Sequence, residues 1–144
     1  MIAVDTNVLL RRVLDDDANQ SERARRIFES EVEVLITDIV LAEAIWSLKG
    51  ARYKATPNDV IALIMGLLEE RNVVFESRQA VWSALNDFIK AVRRKTSGEI
   101  GAPDLADALV VNKAKVTAAL RNTEYRGTYT FDKAALLLDG TRAP

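Results

Sequence analysis

The feature that most constrains this chain is an alternation of short apolar runs with longer segments of helical period. Met1 to Val4 is an apolar run that ends in Asp5; Val32 to Ile36 (VEVLI), Asn72 to Phe75 (NVVF) and Gly127 to Phe131 (GTYTF) follow it, each short enough for a buried strand. Between them, Ala24, Ile27 and Phe28 make an i, i+3, i+4 stripe within Ser21 to Ser30. Thr37 can cap a helix from Asp38 to about Lys49. Thr56, Pro57 and Asp59 read as N-cap, first-turn proline and first-turn acid of a further helix. Val81, Leu85, Phe88, Ile89 and Val92 mark a long amphipathic helix ending in Arg93, Arg94 and Lys95, and Pro103 begins another that carries Asp104, Asp107 and Val111. Thr96 to Pro103 has the small, Gly- and Pro-containing composition of a loop. Strands alternating with helices imply βαβ units, hence an α/β class with a mostly parallel sheet covered on both faces. A chain of 144 residues fits one domain, residues 1–144, and can bury roughly 70% of its unfolded surface.

In such a sheet, ligands bind outside the carboxyl ends of the strands. Asp5, Thr37 with Asp38, and Asp132 directly follow apolar runs and belong to that edge. The chain contains neither histidine nor cysteine. That excludes imidazole bases, thiolate nucleophiles, disulfides, iron–sulfur clusters and His- or Cys-ligated zinc. Any bound metal must use oxygen donors, which suit magnesium, manganese or calcium. A net charge of −1 and a pI of about 5.6 argue against a generally basic nucleic-acid binder, so such contacts would need a local patch. No segment reaches the roughly 20 apolar residues of a membrane helix. The acid within MIAVDTNVLLRR is unlike a signal peptide, and a cytoplasmic location is the simplest expectation.

Glu43 is the only charge in Ile39 to Leu48, a helix whose composition predicts near-complete burial. An ionised carboxylate there needs a cleft, an arginine or a cation to offset a cost of several kcal/mol. Asp107 repeats the pattern in DLADALVV, and Asp104 shares its helix face three residues earlier. Taken singly, Asp5, Asp104 and Asp132 also read as helix caps. Three or four carboxylates drawn to one sheet edge would repel one another unless a divalent cation neutralised them, and the oxygen-only donor set favours Mg²⁺ or Mn²⁺.

These residues lie in VDTNVLLR (Val4 to Arg11), LAEAIW around Glu43, DLADALVVNKA (Asp104 to Ala114) and TYTFDKAA (Thr128 to Ala135). The four motifs, in this order and across essentially the whole chain, resemble the PIN domain, in particular VapC-type toxins of bacterial toxin–antitoxin pairs. One departure is the long stretch from Asp107 to Asp132, which includes the polar segment Arg121 to Arg126. The resemblance implies a three-layer fold with a mostly parallel central sheet of roughly four to five strands flanked by helices. It implies an acidic quartet of Asp5, Glu43, Asp107 and Asp132, with Asp5 and Asp107 as metal ligands. Thr6, Asn7 and Thr130 would support them by orienting carboxylates and waters, and Asp104 joins these supporting candidates by its place on the Asp107 face. It also implies Mg²⁺- or Mn²⁺-dependent endoribonuclease activity, an RNA substrate, a cognate VapB-type antitoxin and a homodimer.

Candidate phosphate contacts are Arg11 with Arg12, Arg93 to Lys95, and Lys113 with Lys115, each of which also reads as an ordinary solvated helix face. A receiver-type phosphate switch needs an acceptor Asp after a central strand, whereas the third run ends in Phe75-Glu76-Ser77. Phosphatases of the DxD type fail because Asp5 is followed by Thr6-Asn7, and no glycine-rich nucleotide loop is present. The alternative from another class is a PIN-like RNA- or protein-binding regulatory module without significant catalysis.

Overall fold

The structure is a computed structural model that describes residues 1–94 and 101–144. Lys95 and most of the loop expected from Thr96 to Pro103 lie outside the described residues. The chain forms two compact units, Met1–Arg78 and Gln79–Pro144.

The first unit holds β1 (Ile2–Ala3), α1 (Thr6–Leu14), α2 (Ala18–Phe28), β2 (Val34–Ile36), α3 (Asp38–Lys49), α4 (Pro57–Glu69) and β3 (Val73–Phe75). Its sheet has the order β1-β2-β3 and both pairings are parallel, with Ile2 opposite Val34 and Val34 opposite Val73. Two helices separate each strand from the next, as a parallel connection requires. The central strand is sealed, since Val34 and Ile36 are fully buried, and Leu41, Ile45, Val60 and Ile64 from α3 and α4 are buried with them. Asn72 fastens the sheet from its end: its amide donates to the carbonyls of Phe28 at 2.7 Å and Ser30 at 3.0 Å, satisfying the backbone where α2 gives way to β2.

Local signals account for most helix starts. Thr37 caps α3 and Gly50 follows its last residue. Thr56 and Asp59 form a reciprocal capping box around Pro57, as their spacing predicts. Helix α2 starts at Ala18, three residues before the expected Ser21, because Asp17 accepts from the Gln20 N–H at 2.9 Å and so caps it upstream of the apolar stripe.

The second unit contains the rest of α5 (Arg78–Arg94), then α6 (Leu105–Leu120), β4 (Thr128–Tyr129), a 3₁₀ turn at Ala135–Leu137 and β5 (Thr141–Arg142). On α5, Ala80, Val81, Ala84, Leu85, Phe88 and Ala91 are buried, the stripe that its period predicts. Helix α6 begins one residue past Asp104, which serves as N-cap, so Pro103 precedes the helix instead of opening it. Asn112 of α6 is buried and donates to Asp87 of α5 at 2.9 Å and to the Ala108 carbonyl at 2.9 Å.

The GTYTF run does not extend the first unit's three-stranded sheet. It pairs instead with β5 in a two-stranded parallel ladder, Thr128 opposite Thr141 and Tyr129 opposite Arg142. The Tyr125 hydroxyl bridges Thr128 at 2.8 Å and the Gly140 carbonyl at 2.9 Å, closing this ladder. Gly140 has φ +99°, and a Cβ there would come within 3.1 Å of the Tyr125 ring, so glycine is required on both counts. The class is α/β, with five strands among the described residues divided between two ladders. No described helix is long and apolar enough to cross a membrane.

Three outcomes follow from these local devices. Thr56→Ala should lower unfolding stability by about 1 kcal/mol in urea denaturation, the usual cost of losing a threonine cap. The Thr56 hydroxyl and N–H hold the Asp59 carboxyl below its ordinary 3.8. A carboxylate whose folded value is depressed stabilises fully above the unfolded value and loses that stabilisation as pH falls through the folded one. The stability gap between wild type and Asp59→Asn should therefore persist near neutrality and close below pH 3.8; a gap that survives stronger acid would contradict it. In the second unit, Asn112→Ala leaves the Asp87 carboxylate without its amide donor, an expected loss of about 1–3 kcal/mol. An unchanged urea midpoint would show that this bond carries no weight.

Candidate active site

Each unit assembles part of the acidic set. In the first, Asp5 follows β1 and caps α1, its Oδ1 accepting from the Val8 N–H at 2.8 Å. The cap uses one carboxylate oxygen and fixes the rotamer. Thr6, the first residue of α1, donates its hydroxyl to Oε2 of Glu43 on α3. Consecutive residues at the end of β1 thus present one carboxylate and hold another, although 37 positions separate Thr6 from Glu43.

The surroundings of Glu43 differ from the expected near-complete burial of its helix. Only Leu41, Ala44, Ile45 and Leu48 of α3 are buried. Glu43 is exposed and shares its helix face with Ile39, 78% exposed, and Trp46, 60% exposed. An apolar composition hides this division, because Ile39 and Trp46 weigh as core residues wherever they point. Glu43 therefore pays no burial cost, and its partner is a hydroxyl.

Glu76, an acid outside the expected quartet, directly follows β3. Its Oε2 accepts from the Asp38 N–H at 2.6 Å, so the end of one strand holds the start of the helix after its neighbour. Its position immediately after an apolar run was the available signal, the same one that singles out Asp5 and Asp132.

In the second unit, Asp104 and Asp107 form a capping box at the start of α6: Asp107 Oδ2 accepts from the Asp104 N–H at 3.0 Å while Asp104 Oδ1 accepts from the Ala106 N–H at 3.4 Å. Asp107 is half-buried. Asp132 is exposed, its Oδ1 accepting from the Ala134 N–H at 2.7 Å and the Ala135 N–H at 3.4 Å, and Thr130 accepts from the Asp132 N–H at 3.0 Å. The cap geometry holds for Asp5 and Asp104, whereas Asp132 holds the turn just ahead of the 3₁₀ segment, whose N-cap position is Ala134. Capping leaves ligation open, because a carboxylate has about four lone-pair positions and each cap occupies one or two.

Asp5 and Glu43 belong to the first unit, and Asp104, Asp107 and Asp132 to the second. Within neither unit, among the described residues, do three acids gather closely enough to hold a metal ion. The donor set is nevertheless all oxygen, as a hard divalent cation prefers.

The basic candidates are mostly engaged. Arg11 binds Asp16 at 2.5 Å and Gln20 at 2.8 Å, and Tyr53 donates to the other Asp16 oxygen at 3.2 Å. The Arg11 guanidinium and the Tyr53 hydroxyl together hold the Asp16 carboxyl below its ordinary value. Arg12 binds Glu70 at 3.2 Å and lies 5.9 Å from the centre of the Phe28 ring. Lys115 donates to the Asp139 carbonyl at 3.0 Å. Arg93 and Arg94 are exposed at the end of α5.

A sequence model of the PIN domain matches residues 2–121. The match takes in Asp5, Thr6, Asn7, Glu43, Asp104 and Asp107 and ends before Thr130 and Asp132. A search of curated proteins finds no match. The match spans most of the chain, from β1 through α6, and with the parallel α/β sheet it identifies the protein as a member of the PIN domain family, whose fold is of nuclease type.

Proposed function

We propose that this chain is a single-domain, metal-dependent endoribonuclease that acts as the toxin of a toxin–antitoxin pair in the cytoplasm. The observation that carries the reading is the Thr6 hydroxyl on Glu43 beside the strand-end acid Asp5, within a family of nuclease-type fold. Asp5 and Asp107 would hold a Mg²⁺ or Mn²⁺ ion, with Glu43 and Asp132 completing the acidic quartet and Thr6, Asn7, Asp104 and Thr130 supporting it. When bound, such a cation lowers the pKa of a water and offsets charge that develops on a scissile phosphate.

The chain's own groups do the rest. Backbone N–H groups fix one oxygen each of Asp5, Asp107 and Asp132, so these carboxylates stand in set orientations before any ligand arrives. Glu43 or Asp132 accepts the proton of the attacking water, a role for which no histidine competes. The Thr6 hydroxyl keeps Glu43 aimed by holding one of its two oxygens and leaving the other open.

The partners proposed are an RNA substrate, a VapB-type antitoxin and a second copy of the chain. Exposed Ile39 and Trp46 supply apolar surface of the kind that such protein partners cover.

Following cleavage of structured RNA while titrating Mn²⁺ or Mg²⁺ tests the reading. Asp5→Asn and Asp107→Asn should each abolish turnover while preserving the fold, because the amide oxygen can still accept the cap hydrogen bond. A fully active Asp107→Asn enzyme would overturn the site. Thr6→Val should lower kcat about 10- to 100-fold, the usual effect of removing a group that orients a ligand. RNA binding without turnover at any metal concentration would favour the regulatory-module alternative. Light scattering at micromolar concentration should give the mass of a dimer, and a monomeric mass would refute that part.

A further inference from the structure

The expected phosphate contacts on α1, Arg11 and Arg12, are both committed to carboxylates, and the same is true of their neighbours on α2. Arg25 pairs with Glu22 and Asp15, and Arg26 pairs with Glu22. Arg23 differs: among the described residues it makes no ion pair, although it is exposed on the same helix. It borders a groove of about 220 Å³ between α1 and α2. Val8, Ala24 and Ile27 give this groove an apolar lining, Asn7 and Gln20 supply amides, and no carboxylate lines it.

Two details give the groove a direction and a polarity. It starts at Asn7, two residues beyond Asp5, and reaches Arg11 one helical turn, about 6 Å, further on. Gln20 accepts from Arg11 through Oε1, which leaves its NH₂ as the donor end of the amide. Polar atoms beside the apolar lining are therefore chiefly donors, with the Arg23 guanidinium the strongest. Donors that meet phosphate oxygens beside an apolar surface that accepts a base are the recurrent design of single-strand binding sites. The volume lies below that of drug-sized pockets and suits a single base, too little for a duplex.

We propose that the α1–α2 groove is a substrate subsite that holds one nucleotide of single-stranded RNA flanking the cleaved bond, with Arg23 and Gln20 on its phosphate and Val8, Ala24 and Ile27 against its base. This rests on the endoribonuclease reading and adds the path of the substrate away from Asp5.

The test compares two charge reversals on one helix. Arg23→Glu and Arg26→Glu change the net charge equally, but Arg26 does not line the groove. Each is introduced into the full chain carrying Asp5→Asn, and binding of a fluorescein-labelled, unstructured RNA 12-mer is followed by anisotropy over a salt series. Arg23→Glu should weaken binding at least 10-fold and reduce the slope of log K against log salt by about 1, the signature of one lost phosphate contact. Arg26→Glu should remain within about 3-fold of its parent, a generic long-range charge effect. Equal weakening by both would reduce Arg23 to net charge, and no weakening by Arg23→Glu would leave the groove to a protein partner; either result overturns the proposal. Cleavage of RNA by the wild-type chain is measured in parallel with Mn²⁺. Cleavage together with unaffected Arg23→Glu binding defeats the subsite alone, whereas failure of the wild type to cleave defeats the nuclease reading and leaves the binding comparison to decide the groove.

Discussion

The structure depends on one constraint, the unpaired N–H groups at the start of each helix, which must find acceptors where strands only two or three residues long give way to helices. Acidic and hydroxyl side chains meet it after β1 and β2, with Asp5 for α1 and Thr37 with Glu76 for α3, and the same device starts helices that follow other helices: Asp17 for α2, Thr56 with Asp59 for α4, and Asp104 with Asp107 for α6. Ladders this short contribute few hydrogen bonds, so the junctions decide where each strand ends and in which direction the chain leaves it. Because parallel strands all end on the same edge, the acceptors that stop strands and start helices are gathered there too. The presence of Asp5 and Glu76 at that edge is thus a structural consequence before it is a chemical opportunity.

The two uses do not conflict. An N–H group satisfied by one carboxylate oxygen orients the second without consuming it. Asp5 and Asp132 show this arrangement at the ends of strand-like runs, and Asp107 shows it within a helix start. Glu43 is the exception, since it caps nothing and depends on the Thr6 hydroxyl alone among its described hydrogen bonds.

What could be read in the sequence was local. Thr37, and Thr56 with Pro57 and Asp59, announced their helices within four residues, because a cap and its N–H partners are sequence neighbours. The α/β class followed from the alternation of runs. Features that join distant segments were not legible: Asn72 on the Phe28 carbonyl, Tyr53 on Asp16, and Glu76 on the Asp38 N–H all span dozens of residues without any spacing rule. Strand β5 left no trace, since Thr141 and Arg142 are too few to show a period. Arg11 and Arg12 looked like free cations because nothing in a linear reading reveals that Asp16 and Glu70 neutralise them. The same blindness concealed Arg23, whose interest lies in the partner it lacks.

The central position of β2 has a consequence for synthesis on the ribosome. When Ile36 has emerged, β1 can already pair with β2, but the other edge of β2 waits for Val73–Phe75, almost forty residues later. Throughout that interval the nascent chain carries an apolar strand with one side open, a template for pairing with other chains. Helices α3 and α4, made in the meantime, can screen its faces but not its open edge. The stretch of translation between residues 36 and 73 is therefore the window in which this protein is most exposed to aggregation and most in need of a chaperone.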